Sequence, residues 1–402
     1  MPKKEEELTN KNIQALKTLA NVEGQGSGKD YVTELILEAD NLGASDIHFE
    51  PYKDELKLRM RIDGTLRDIF AVPKKKEASI ISCIKVMGGM DITEKRLPQD
   101  GRVEIEAQGR SLKVRIASIP QVFGEKVVMR LFSKNIDMLN LDTLGFTEEN
   151  QKKFEFIITR PSGMVLVSGP TGAGKTTTLY AAMNRLNSPE KNLVSIEDPI
   201  EYIIDRINQI QINPAIDFNF ATILRAILRQ DPDIITVGEI RDLETASMAV
   251  RAALTGHLLL STFHANKTTA CITRLIDMGV MPFMLAAALN GAIVQKLARR
   301  ICPMCVEELP PSKNVLQGHR HFKGKGCRMC NNTGLKGRIA IHEVLVVSGE
   351  LRDLIQKNAG GGAIFQLARK EGLKTLQDDA VKKVLDGIIT YEEAVNVTFD
   401  IL

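Results

Sequence analysis

The stretch MVLVSGPTGAGKTTTLY, residues 164–180, decides how this chain is read. Met164–Val167 is a short, continuously apolar run, the pattern of a strand buried on both faces. It ends at Ser168 and passes directly into a glycine loop, GPTGAGKTT, and then into a helical pattern that runs to Leu186. Strand, glycine loop and helix in that order make a phosphate-binding loop. Gly169, Gly172 and Gly174 let backbone N–H groups curl around phosphate oxygens, and the start of the helix adds its dipole. Pro170, Thr171, Ala173 and Thr177 complete the loop. Lys175 is expected to reach the β- and γ-phosphates of a nucleotide, and Thr176 to offer its hydroxyl to magnesium.

Outward from the loop, Leu193–Ile196, Ile234–Val237 and Leu258–Leu260 are apolar runs of the same kind, separated by helical patterns. The alternation predicts an α/β domain with a parallel sheet. The run at 234–237 ends at Gly238-Glu239, and a carboxylate at a strand end beside a phosphate loop is placed to touch magnesium or water. The usual aspartate is missing there, and the nearest, Asp233, stands at the strand's start. Glu239 is therefore the first choice for polarising the attacking water. Glu197 and Asp198, with Glu201 close by, end the run at 193–196 and offer further carboxylates, so the choice of base stays open. His257 and His264 bracket the run LLLST, and the spacing leads us to expect both at one edge of the site, as donors to the γ-phosphate or as core hydrogen-bond partners.

The remaining segments set the domain plan. Residues 1–28 open with KKEEE and close with GQGSG, a charged tail and flexible joint without the apolar core of a secretory signal. Residues 29–135 predict a small α+β domain: a helix from Lys29 to Leu42 ended by Gly43, alternating strands, an Asp63-Gly64 hairpin and a helix from Ala78 to Met90. Residues 136–145 form a linker, and 146–402 the α/β domain, including a cysteine-rich module at 297–343 and a helical region at 344–402. The most apolar long stretch, Val280–Val294, is interrupted by Pro282 and Asn290. It is shorter than the roughly 20 apolar residues that cross a bilayer. A cytoplasmic protein is expected. The chain has 53 Lys plus Arg against 50 Asp plus Glu, a net charge of +3, with no Trp and 5 Tyr. That composition speaks against a nucleic-acid translocase, which tracks a phosphate backbone with interleaved basic and aromatic residues.

Cys302 and Cys305 form one CxxC pair, and Cys327 and Cys330 a second, with 21 residues between the two pairs. Two such knuckles are the pattern of a tetrahedral zinc site, structural because all four positions are filled. His319 and His321 lie between them and are expected to face solvent. Cys83 and Cys271 fall in helical patterns as small buried residues.

Several segments together resemble the secretion and pilus-assembly ATPases, the family behind type II secretion and type IV pilus extension. SDIHFEP (45–51), RMRIDGTL (59–66), MDITEKRLPQDGR (90–102) and VFGEKVVMRL (122–131) are similar to its N-terminal domain. GPTGAGKTTTLY, SIEDPIEY (195–202), VGEIRDLETA (237–246) and TGHLLLSTFHAN (255–266) are similar to its Walker A, aspartate box, Walker B and histidine box. The resemblance implies a RecA-like P-loop ATPase domain, a smaller PAS-like domain before it, a mobile linker and a homohexamer. It implies ATP, magnesium and zinc as ligands. It also implies that Arg115 and Arg130 of the N-terminal domain reach nucleotide, with Arg225 and Arg229 as further family-typical arginines. Ala173 replaces a common serine. Many members carry an extra domain that docks onto the membrane platform, and the N-terminal segment here is short by that standard.

The expected function is an ATP-hydrolysing motor for type IV pilus assembly, with a type II secretion ATPase as the alternative. Its partners would be further copies of itself and an inner-membrane platform protein, holding it at the membrane from the cytoplasmic side, with no nucleic acid. A zinc-anchored scaffold without activity is disfavoured by the intact Lys175 and Glu239.

Overall fold

The structure is a computed structural model that describes residues 28–107, 109–133, 140–310 and 319–398. The expected tail, the first part of the linker and residues 311–318 of the cysteine-rich segment lie outside these. The chain divides into two compact units, one before and one after the junction of residues 134 and 135.

In the first unit, α1 (Gly28–Asn41) precedes β1 (Ala44–Pro51), β2 (Glu55–Ile62) and β3 (Thr65–Pro73). Then come α2 (Glu77–Met87), β4 (Gln99–Ala107), β5 (Arg110–Gln121) and β6 (Gly124–Ser133). The helix α1 buries Val32, Leu35, Ile36 and Ala39, and the chain leaves it through Gly43 at φ 70°. Asp63 and Gly64 both take positive φ, the conformation that a two-residue hairpin with the strands' own twist requires. The six strands run in the order β3-β2-β1-β6-β5-β4, with every neighbouring pair antiparallel. One face packs on α1 and α2 through Ile47, Leu58, Ile116 and Met129. The opposite face is polar, because side chains alternate along a strand. Across it the register places Arg61, Asp46, Arg130, Arg115 and Arg102 in one row.

The second unit contains α3 (Glu148–Ile158), β7 (Gly163–Ser168), α4 (Lys175–Leu186), β8 (Leu193–Glu197) and β9 (Ile207–Gln211). It continues with α5 (Phe220–Ile227), β10 (Ile234–Val237), α6 (Leu243–Leu254), β11 (Leu258–Phe263), α7 (Thr268–Asp277), α8 (Pro282–Ala288) and β12 (Leu289–Ile301). A small ribbon of β13 (Val306–Leu309) and β14 (His321–Gly324) follows, and then β15 (Leu335–Val346). Four helices close it: α9 (Gly349–Gln356), α10 (Gly361–Lys370), α11 (Leu376–Leu385) and α12 (Tyr391–Thr398). The seven-stranded sheet has the order β15-β12-β7-β11-β10-β8-β9. It is parallel from β12 to β9, and β15 joins antiparallel.

The apolar runs of the sequence become β7, β8, β10 and β11, each buried along its whole length, with an apolar core on either face of the sheet. The stretch Val280–Val294 is divided between α8 and β12 rather than forming one helix. Among the described residues no helix is long and apolar enough to cross a membrane. Parallel strands deliver their C-terminal ends to one edge, and that edge carries the site.

Candidate functional site

At the end of β7 the loop turns through Gly169 (φ 145°), Gly172 (φ 77°) and Gly174 (φ 82°). Only glycine suits these angles, and at Gly169 a Cβ would also come within 2.3 Å of the Gln295 carbonyl oxygen. Gly174 caps α4 and brings no side-chain acceptor to it. The first N–H groups of the helix are thus left for an anion. The Lys175 ammonium folds back on its own loop, donating to the carbonyls of Gly169 at 2.8 Å and Pro170 at 3.1 Å. Burial lowers its pKa, against the raising influence of Glu239. Thr176 is exposed in the first turn, beside it.

Glu239 follows the end of β10, a mostly buried carboxylate that pairs with Arg241. His264, just past the end of β11, brings Nε2 to 3.7 Å from it. The His264 pKa is lowered, chiefly by burial and then by the Lys175 charge, with Glu239 opposing. The site therefore holds a neutral imidazole at pH 7. Thr262 Oγ1 donates to the Gly238 carbonyl at 2.5 Å and ties the two strand ends together. Asp198 stands exposed at the next strand end and helps to raise the pKa of Arg241, behind the Glu239 hydrogen bond.

Other expected residues are placed differently. Glu197 is buried and its oxygens are taken. Oε2 accepts from the Tyr180 hydroxyl, and Oε1 from Ser195 at 2.7 Å and Gln209 at 2.9 Å. These three donors take up most of the roughly four acceptor positions of the carboxylate, and the Tyr180 bond ties β8 to α4. The expectation that His257 and His264 stand at one edge does not hold. Six residues of β11 separate them, roughly 20 Å of extended chain. His257 lies at the far edge, where its carbonyl accepts from Gly163 at the start of β7 and its Nδ1 rests 3.0 Å from the Ala252 carbonyl oxygen. Arg225 is exposed and bonded to Glu244 at 3.0 Å, and Arg229 donates to the Arg225 carbonyl at 3.0 Å. In the first unit, Arg130 donates to Asp46 at 2.9 Å, and Arg115 approaches Asp100 at 3.5 Å.

One residue of the site went unread in the sequence. Gln295, on β12, is buried. Its Oε1 accepts from Thr178 at 2.8 Å and its Nε2 donates to the Ala173 carbonyl at 2.6 Å. A lone glutamine in an apolar run carries no signal of its own.

The four cysteines Cys302, Cys305, Cys327 and Cys330 bring their sulfurs within 4.8 Å of one another, with separations of 3.8, 3.8 and 3.7 Å for three of the pairs. Zinc–sulfur bonds of about 2.3 Å in a tetrahedron require edges of about 3.8 Å, so the donor set fits that ion. The backbone N–H groups of Cys327 and Gly334 each lie 3.2 Å from the Cys330 sulfur. Burial disfavours the Cys330 thiolate, but these donors outweigh it and bring its pKa down to about 7. Cys271 is buried as expected, while Cys83 is half-exposed. His321, expected in solvent, is only 8% exposed; it starts β14, opposite Leu309 of β13.

Comparison with known proteins places this architecture. The chain matches the type II/IV secretion system protein family over residues 21–396. The type IV pilus assembly ATPase PilB of Thermus thermophilus is 45% identical over 386 residues, 94% of this chain and 43% of that protein. The type II secretion system ATPase E of Vibrio cholerae is 45% identical over 375 residues, 91% of this chain and 74% of that protein. The chain thus spans less than half of one curated relative and about three quarters of the other. A crystal structure of the pilus retraction motor PilT with bound ADP superposes with a TM-score of 0.63 at 27% identity, covering 91% of this chain and 96% of that one. The Legionella pneumophila ATPase DotB shares the fold, with a TM-score of 0.70 at 22% identity over 93% of this chain and 96% of that one. The fold is that of an α/β ATPase, and the chain belongs to the type II/IV secretion system protein family.

Proposed function

We propose that this chain is the ATP-hydrolysing subunit of a motor for type IV pilus assembly. The observation that carries the reading is the meeting, at one sheet edge, of the glycine loop and Lys175 with Glu239 and His264. The same geometry serves a type II secretion ATPase, and a relative of each kind is 45% identical, so that alternative stands beside the first. In finer terms we read residues 146–402 as a RecA-like domain and 29–135 as a PAS-like domain, with a tail at 1–28 and a linker at 136–145. Within the larger domain, 297–343 is the zinc module and 344–402 a helical region. The working form is a homohexamer in the cytoplasm, held at the inner membrane through a platform protein, with no nucleic acid as partner.

In this reading the loop's N–H groups and Lys175 bind the ATP phosphates, Lys175 exchanging the carbonyls of Gly169 and Pro170 for phosphate oxygens. Thr176 holds magnesium, which neutralises phosphate charge when bound. Glu239 gives up Arg241 and orients the attacking water, and the neutral His264 donates toward the γ-phosphate. Asp198 supports the metal side, and Glu197 fixes the strand that carries it. Arg115, Arg130, Arg225 and Arg229 supply cations in the nucleotide-bound state, where guanidinium offsets charge on the transferring phosphoryl group. The four cysteines hold one structural zinc.

Phosphate release by the full chain tests the reading. Lys175→Ala should abolish turnover in a folded protein, and Glu239→Gln should bind ATP without hydrolysing it. Normal turnover in a folded Lys175→Ala protein refutes the assignment. A prepilin gene beside this one supports pilus assembly, and a secretin with minor pseudopilins the alternative.

A further inference from the structure

Gln295 connects two parts of the second unit that are far apart. Its register position lies just beyond the rung Val294–Ser168 that ends the pairing of β12 with β7, so it stands beside the first residue of the phosphate loop. Three points of the loop close on it. Its carbonyl fills the space that a Cβ on Gly169 would need, its Nε2 would lie 3.2 Å from a Cβ on Gly174, and its side chain bonds Ala173 and Thr178. The amide is buried and both of its functional atoms are used, one as donor and one as acceptor. No other residue type of that length supplies both, since glutamate lacks the donor and methionine lacks both.

The same strand runs on without a break to Ile301 and delivers Cys302, the first cysteine of the cluster. Seven residues of strand make roughly 23 Å. Along that length β12 is paired with β15 from Gly291–Val346 to Ile301–Leu335, with one irregularity between Arg299 and Ile301. Its outer half is held by Arg299, whose backbone N–H and guanidinium bond Glu393 at 2.7 to 2.9 Å. The cysteine module closes onto the far end of the β12–β15 pair, where the Cys302 N–H donates to the Gly334 carbonyl at 2.9 Å. One strand pair therefore has the phosphate loop at one end and the cysteine cluster at the other.

We propose that Gln295 is a positioning residue that locks the phosphate loop onto β12, and that through this strand the metal state of the four-cysteine cluster sets nucleotide affinity. The inference rests on the reading of the loop as the ATP site. With Cys302, Cys305, Cys327 and Cys330 bound to a metal ion, the outer end of the β12–β15 pair would stay in register and keep Gln295 against Ala173 and Thr178. Without the ion that end would fray and the loop would loosen. Coupling between binding sites is reciprocal, so nucleotide must tighten metal binding by the factor by which metal tightens nucleotide.

The test uses the full chain and a fluorescent ADP analogue, at a temperature well below unfolding. Gln295→Met should weaken nucleotide binding about tenfold, the cost of leaving two buried polar groups without partners. Thr178→Val, which removes one donor without changing shape, should weaken it less and should add little on top of Gln295→Met. Chelation of zinc, verified by metal analysis, should weaken binding about fivefold in the wild type and less than twofold in Gln295→Met, with zinc addition restoring the wild-type value. Turnover at saturating ATP should change less than the KM. Wild-type affinity in both Gln295→Met and Thr178→Val overturns the positioning role. Equal effects of chelation in wild type and Gln295→Met, or none in either, overturn the coupling. A wild type that binds no nucleotide at all refutes the ATP reading instead.

Discussion

Tyr180→Phe separates the two readings of Glu197, as a structural rivet or as a chemical base. The substitution keeps the ring and its edge-on contact with Tyr202 at 5.6 Å and removes one oxygen. That oxygen donates to Glu197 and accepts from the N–H groups of Glu201 at 3.1 Å and Tyr202 at 3.3 Å. Burial, and then the Glu197 charge, push the phenol's pKa upward, so it stays a donor at every working pH. Glu197 keeps Ser195 and Gln209 on Oε1 and loses its partner on Oε2. Removing a hydrogen bond to a buried charge costs about 1.5–3 kcal/mol, and the two half-buried N–H groups add little because water can reach them. We expect about 2–3 kcal/mol in all, read as a Tm lower by about 5–10 °C for a unit of this size. Turnover at 25 °C should stay within about twofold, since this change spares Glu239, His264 and Lys175 and costs stability alone. The assays are thermal unfolding and phosphate release on the same preparation. A Tm within a degree of wild type would refute the energetic argument, and a folded variant with turnover down by a factor of ten would return Glu197 to the chemistry.

Three other predictions follow from separate features. Arg115→Ala and Arg130→Ala should each lower kcat far more than nucleotide affinity, if their contacts form only in the reacting state, and wild-type kcat in both removes these arginines from the reaction. His342 is fully buried and stacked on Phe146 at 3.8 Å, and burial, then Lys383, hold its pKa well below 6.5. Its folded pKa is depressed, so the unfolded state binds the extra proton. Its stability contribution is complete above about pH 6.5 and declines as pH falls, by up to about 1.4 kcal/mol per pH unit. Denaturant unfolding from pH 7.5 to 5.5 should show that slope shrink in His342→Phe, and an unchanged slope would contradict it. Protein purified without added metal should carry about one zinc per chain, and Cys327→Ser should lose it, whereas metal-free protein with intact cysteines would exclude a zinc site.

Local chemistry made the phosphate loop legible in the sequence. The turn angles of Gly169, Gly172 and Gly174 follow from their lack of a Cβ, and the apolar runs on either side have only one way to bury both faces. The Asp63-Gly64 hairpin and the Gly43 helix end were readable for the same reason. What failed depended on distance. Two histidines on either side of a short run look close in the sequence, yet a strand is the most extended path between them, so His257 and His264 part to opposite edges. The partners of Glu197 were hidden for a like reason, since two of its three donors, Tyr180 and Gln209, come from other elements. Gln295 was invisible because its partners are more than a hundred residues away.

The arginine row on the first unit has a consequence for how that unit tolerates its surroundings. Arg61, Arg130, Arg115 and Arg102 stand on four strands, with Asp46 paired to Arg61 and Arg130 and Asp100 approaching Arg115 at 3.5 Å, at a strand spacing of about 4.8 Å. Arg130 and Arg115 face each other directly with like charge, an arrangement that costs stability in a sheet. Screening over about 8 Å at physiological ionic strength is too long-ranged to silence neighbours this close. Two acids against four arginines offset only part of this repulsion, and multivalent anions relieve the remainder better than monovalent ones. Its melting temperature should climb with sulfate or phosphate more steeply than with chloride at matched ionic strength, and replacing Arg102 by glutamine should flatten that difference.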